Sequence, residues 1–169
     1  MVRRWVMVLV LLLAPAGVQG GVTTGRDEVK MTVRDVKFVR GSYVVRLQVD
    51  GGGRLLEIWI GQREAQAIQM RLSGSRAPRP LTHDLLETVL LRLKAKVVRV
   101  EVDDLRDNTF HGKLTLKTAK GSHRIDGRPS DLITLAVGAG LPIHVARHVL
   151  EKAGVAPQPA AGPAATQGI

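Results

Sequence analysis

From Glu28 onward, apolar residues fall on alternate positions, the signature of a strand with one buried face. Val29, Met31 and Val33 keep one parity, and Val36 and Phe38 resume on the other. That slip of phase predicts a bulge near Arg34-Asp35. Arg40-Gly41-Ser42 reads as a turn, after which Tyr43, Val45, Leu47 and Val49 alternate against polar neighbours. Gly51-Gly52-Gly53 closes a second hairpin and Leu55 to Ile60 forms a third strand. Three strands joined by tight turns predict an antiparallel meander.

The period then changes. Between Gly61 and Leu72, Ala65, Ile68 and Leu72 recur at helical spacing, with Gly74 as the stop. A connector stiffened by Pro78 and Pro80 leads to a second helix, on which Thr82 reads as the N-cap and Leu85, Leu86, Val89, Leu90 and Leu93 form a broad apolar stripe. Val98, Val100 and Val102 predict a strand, Asp103 to Asn108 a polar turn, Phe110, Leu114 and Leu116 another strand, and Ile125 a short one. A third helix from Leu132 to Gly140 is apolar nearly all round. An extended Pro142-Ile143-His144-Val145 and a short helix ending near Gly154 follow. Strand groups with helices inserted between them predict an α+β fold, a single compact domain on a mixed, mostly antiparallel sheet.

The third helix begins at a polar corner, Arg128-Pro129-Ser130-Asp131. Pro129 suits a first-turn position, Ser130 suits a cap, and Asp131 lies where the helix dipole favours negative charge. A helix this apolar is held by the core, so whatever its corner carries is held rigidly too.

The ends differ in character from the middle. Arg3 and Arg4 precede an unbroken apolar run from Trp5 to Ala14, and small residues lead to Gly20. That pattern predicts an export signal at residues 1–20, hence a periplasmic or secreted protein with no stable membrane span after cleavage. Residues 21–27 read as a linker, 28–155 as the folded domain, and 156–169, rich in Pro, Ala and Gly, as a disordered tail.

Composition narrows the chemistry. The absence of cysteine excludes disulfides and thiolate catalysis. A formal charge of +10, from 25 Lys and Arg against 15 Asp and Glu, favours a polyanionic partner such as nucleic acid, although the cations are spread rather than clustered. Phosphate-binding glycine loops, nucleophile elbows and zinc-protease signatures are missing. Of Phe38, Tyr43, Trp59 and Phe110, three read as core, which disfavours a dedicated base-stacking platform.

Each of the three main helices starts with a polar corner bearing a carboxylate: Arg63 and Glu64; Arg79, Thr82, His83 and Asp84; Arg128, Ser130 and Asp131. Capping alone accounts for acids at such places. If the corners converge, Glu64, Asp84 and Asp131 could hold a divalent cation such as Mg²⁺ or Mn²⁺ through oxygen, while Arg79, Arg128 and Ser130 receive a phosphate. His83, at the positive end of a helix, is favoured as neutral imidazole and can accept a proton. His111 shares an outward strand face with Lys113 and Lys117, a solvated basic face or a stripe of phosphate contacts.

These corners also carry a resemblance. Glu57-Ile58-Trp59-Ile60-Gly61 with Glu64-Ala65 and Ala67-Ile68, then Arg79-Pro80-Leu81-Thr82-His83-Asp84-Leu85, then Ile125-Asp126-Gly127-Arg128-Pro129-Ser130-Asp131, together with Pro142-Ile143-His144-Val145, resemble the bifunctional nuclease family in order and spacing. Gly127 stands where that pattern commonly has Ala, a change that would loosen the chain before the corner. The resemblance implies a compact α+β domain acting on DNA and RNA.

The expectation is an exported nuclease hydrolysing phosphodiester bonds, with Glu64, His83, Asp84 and Asp131 as the catalytic group. The alternative is a non-catalytic domain binding an anionic ligand or regulating a partner. A homo-oligomer is compatible with either.

Overall fold

The computed structural model describes residues 27–156. The export signal and all of the tail beyond Ala156 lie outside the described residues. The first three strands, β1 (Glu28–Val39), β2 (Ser42–Val49) and β3 (Leu55–Ile60), form the expected meander. The register between β1 and β2 shifts between Val33 and Asp35, so the change of parity is a bulge within one strand. It lets Met31 and Val36 face the same core from opposite parities.

Helices α1 (Gln62–Ser73) and α2 (Thr82–Arg92) come next, then β4 (Lys96–Arg106), β5 (Thr109–Thr118) and β6 (Gly121–Gly127). Helix α3 (Pro129–Ala139), strand β7 (Ile143–Ala146), helix α4 (Arg147–Ala153) and a two-residue β8 (Gly154–Val155) complete the order. All eight strands join one sheet, ordered β6-β5-β4-β7-β1-β2-β3-β8. β7 lies between the two meanders, antiparallel to β1 and parallel to β4, with Ile143 facing Met31 on one side and Val100 on the other. The sheet curls enough for α4 to touch both β4 and β3.

The core fills the concave side. Met31, Leu47, Leu56, Val100, Val102 and Ile143 from the sheet meet Ile68 of α1 and Leu132, Ile133, Leu135 and Ala136 of α3. Each such aliphatic side chain contributes roughly 1.5–3 kcal/mol on burial. Thr134 is buried among them, and its hydroxyl donates to the Ser130 carbonyl at 2.8 Å. Leu132 sits on a gap made by two facing glycines, Gly112 of β5 and Gly127 of β6. A Cβ at either would stand 2.9 Å from a Leu132 methyl. Gly127 therefore admits Leu132 to the sheet surface, and it is paired in β6 rather than loosening the chain.

Three local expectations need correction. The polar turn expected over Asp103 to Asn108 is only Asp107-Asn108, with φ of 47° and 57°, because β4 continues to Arg106 through two register shifts. The apolar stripe on α2 is mostly uncovered. No α2 residue is buried and Leu90 reaches the core margin, while Leu85, Leu86, Val89 and Leu93 stay exposed because α2 lies at the rim against α3. Phe38 and Trp59 are 64% and 54% exposed, so they are not core residues. Among the described residues, no helix is long and apolar enough to cross a membrane.

The opposite face of the sheet carries an ion pair between β1 and β2. Arg46 is buried and donates through Nε to Asp35 at 2.6 Å, with a second bond from Nη2 to the same carboxylate. The Arg46 hydrogen bond holds the Asp35 carboxyl below the usual carboxylate range against the opposing effect of burial. A depressed folded-state value means that the pair's contribution is complete above about pH 4 and is lost as the pH falls through it. Asp35→Asn should lower the unfolding free energy by about 3 kcal/mol near pH 7, the low end for breaking a buried pair because Asp35 keeps some exposure. Denaturant titrations should show this cost shrinking toward acid pH.

Candidate functional site

The N-termini of α1, α2 and α3 open toward one end of the helical layer. Their caps are Gly61, Leu81 and Arg128. Neither Thr82 nor Ser130 is a cap; each lies inside its helix. For α3 the reason is Pro129: a residue preceding proline is driven out of the helical region, so Arg128 stays extended at φ −66°, ψ 135° and the helix starts at Pro129. For α2 the Asp84 carboxylate accepts the Leu81 N–H at 2.8 Å, fixing the start one residue early.

An extended Arg128 can fold its side chain over the first turn of its own helix. Its Nε donates to Asp131 Oδ2 at 2.7 Å and its Nη2 to Asp131 Oδ1 at 3.1 Å, a forked pair. The third nitrogen, Nη1, donates to Glu64 Oε1 at 3.1 Å across to α1. The Asp131 hydrogen bonds raise the Arg128 guanidinium above its ordinary value, so its charge is permanent. His83 closes the group from α2, its Nε2 lying 3.3 Å from Asp131 Oδ1.

Glu64 is poised by Gly61. Its carboxylate folds back so closely over the start of α1 that a Cβ at Gly61 would collide with Oε2. Glu64, His83, Arg128 and Asp131 thus line one cleft of about 590 Å³, together with Arg63, Gln66, Pro80 and Thr82. Arg128 is largely accessible there, with 68% of its side chain exposed.

Not every corner residue joins this group. Asp84 turns the other way, and its Oδ1 accepts from Arg71 Nη2 of α1 at 2.8 Å. Arg71 also holds Glu87 at 3.1 Å, and Gly138 of α3 leaves room for that carboxylate, since a Cβ there would stand 2.6 Å from Oε1. This clasp ties α1, α2 and α3 together and so presents His83 to Asp131. The Leu81 N–H first, and Arg71 after it, hold the Asp84 carboxyl below its ordinary value. Arg79 is exposed on the connector and makes no ion pair among the described residues. Ser130 is buried under an adjoining cleft that shares Glu64 and Arg128. Among the described residues, no group of three or more His, Cys, Asp or Glu is arranged to hold a metal ion on its own.

Two N-terminal acids, one histidine and a bridging arginine converge where three separate sequence motifs had pointed. The bifunctional nuclease domain matches residues 45–158, two thirds of the chain. The chain belongs to the bifunctional nuclease domain family. Two uncharacterized proteins of Mycobacterium tuberculosis, MT1877 of strain CDC 1551 / Oshkosh and Rv1829 of strain ATCC 25618 / H37Rv, are each 36% identical over 128 residues, covering 76% of this chain and 76% of theirs. The family match starts within β2, yet β1 pairs with both β2 and β7, so the bifunctional nuclease sheet here extends ahead of the matched span.

Sequence spacing supplied Glu64, His83, Arg128 and Asp131 and placed Arg63 beside Glu64, but missed Gln66 and Pro80 on the cleft wall. Nothing in their local pattern distinguishes them from solvated helix and connector positions. Because Arg128 is largely exposed, its bonds are screened by water and stabilise the fold by no more than about 1 kcal/mol. Chemical denaturation of Arg128→Gln should show a loss within that bound. A loss of several kcal/mol would assign the bridge to the fold alone.

Proposed function

We propose that the protein hydrolyses phosphodiester bonds in DNA and RNA at the Glu64–Arg128–Asp131–His83 cleft. The observation that supports this best is the position of Arg128, an exposed guanidinium oriented by carboxylates on two helices and flanked by a histidine. Three of its nitrogens are engaged, and its remaining N–H groups and open face are left for a phosphate.

One site acting on both nucleic acids does not use the 2′-hydroxyl, which DNA lacks, and in this reading water is the nucleophile. His83 suits the role of proton acceptor. With its Nε2–H donated to Asp131, Nδ1 keeps its lone pair and can take a proton from that water. The water oxygen bonds to phosphorus, the ester P–O bond breaks, and the imidazolium returns its proton to the leaving oxygen. Asp131 orients the ring and stabilises the imidazolium, while Arg128 balances charge developing on the phosphoryl oxygens.

A divalent cation of the Mg²⁺ or Mn²⁺ type takes one or two carboxylates together with substrate phosphate and water, and in this reading Glu64 and Asp131 would supply them. When bound, such an ion supplies further polarisation of the phosphoryl group. Asp84 acts in this reading through the clasp that sets the start of α2. The charge pattern of residues 1–20 supports an exported location.

The test is cleavage of single-stranded DNA and of RNA by the purified protein with Mg²⁺ or Mn²⁺, with and without chelator. Cleavage of both that stops with chelator is expected, and His83→Ala should lower kcat by about a hundredfold or more. Failure of the wild type to cleave either polymer, or an unchanged rate in His83→Ala, overturns the proposal. Saturable binding without turnover would instead favour a ligand-binding or regulatory domain.

A further inference from the structure

Beyond the Glu64–Arg128 bridge lies a second cleft, of about 560 Å³. Both clefts are lined by Glu64 and Arg128, so they form one groove with the bridge at its saddle. The chemistry on the two sides differs. The first side carries Arg63, His83 and Asp131. On the second, the shared pair supplies the only charges among the described residues, and the walls are Trp59, Ile60, Asn108, Phe110 and Ser130 with their immediate neighbours.

One wall is the edge of β3. Ile58, Trp59 and Ile60 all line the cleft, and side chains alternate along a strand, so three successive residues reach one cavity only where the strand is met edge-on. Among the described residues that edge is unpaired beyond Leu56, because β8 pairs only with Leu55 and Leu56. It presents outward-facing backbone N–H and C=O groups beside a half-exposed indole. The opposite wall is the tip of the β4–β5 hairpin. Its two-residue turn, with both residues at positive φ, is the type that matches strand twist, and it holds Asn108 and Phe110 in place. Phe110 packs partly against the core, which fixes its ring.

A flat aromatic group with a hydrogen-bonding rim fits these walls: its face meets the aromatic side chains, and its rim meets the Asn108 amide and the open strand edge. A nucleobase has that form, and its rim is free only when the base is unpaired. We infer that this second cleft is a nucleobase subsite for an unpaired nucleotide next to the phosphate held by Arg128, which makes single-stranded nucleic acid the preferred substrate class. The inference rests on the proposed hydrolysis for its phosphate anchor and adds the discrimination between single strands and duplex.

The full-length Trp5→Phe protein leaves Trp59 as the sole tryptophan and reports on the subsite by fluorescence. The probes are a phosphorothioate single strand, the same strand annealed to its complement, and a matching strand with abasic sites. The single strand should quench Trp59 saturably and bind about tenfold or more tighter than the duplex or the abasic strand. Phe110→Leu and Asn108→Gly, the second of which keeps the positive-φ turn, should each remove much of that advantage with little change in melting temperature. Equal affinity for the single and abasic strands, or for single strand and duplex, overturns the subsite. Quenching and selective binding without cleavage of an ordinary strand leaves the subsite standing and removes the hydrolysis. Cleavage with no base dependence does the reverse, and absence of binding by any strand removes both.

Discussion

The guanidinium of Arg128 is the point on which the site depends. It joins the first turns of two helices that are far apart in sequence, taking Asp131 from its own helix and Glu64 from α1. Without a cation between them, two carboxylates would face each other across a small gap and repel. With it, they are held in place and His83 gains a fixed partner in Asp131. The arrangement is weak as a stabiliser, because water screens it. Its exposure is what the proposed phosphate contact requires.

The rest of the molecule supplies the rigidity that such an exposed group lacks. Pro129 forces Arg128 out of the helix, and the apolar body of α3 is buried against the sheet. Leu132, one residue past Asp131, is seated on the Gly112–Gly127 gap, which locates the first turn relative to β5 and β6. The Arg71 clasp performs the corresponding task for α2. Ordinary packing therefore sets the positions of the polar atoms, and the positions in turn give the cleft its chemistry.

Much of this was readable in one dimension. Alternation located the meander and even its bulge, since a parity change at Arg34-Asp35 has few other causes. The corner at 128–131 was visible because Pro, Ser and Asp before an apolar run have position-specific meanings. The helix periods of α1 and α3 were equally plain. What stayed hidden was whatever depends on neighbours distant in the chain. Pro142 to Val145 looks like any short extended segment, and only the assembled sheet shows it joining two meanders. Asp84 and Asp131 both read as first-turn acids, yet one turns to Arg71 and the other to Arg128 and His83. Three of the four aromatics read as core by type, yet Phe38 and Trp59 are both exposed on the sheet. The stripe on α2 predicted burial that a rim position does not provide.

The central claim is that Arg128 makes Glu64 and Asp131 act as one unit although the two carboxylates come from different helices. A double-mutant cycle with Glu64→Gln and Asp131→Asn, read as the rate of single-stranded DNA cleavage, tests it most directly. The account predicts strong non-additivity, with the double variant hardly slower than the slower single one. Losses that simply multiply, or a single variant as fast as wild type, would contradict it.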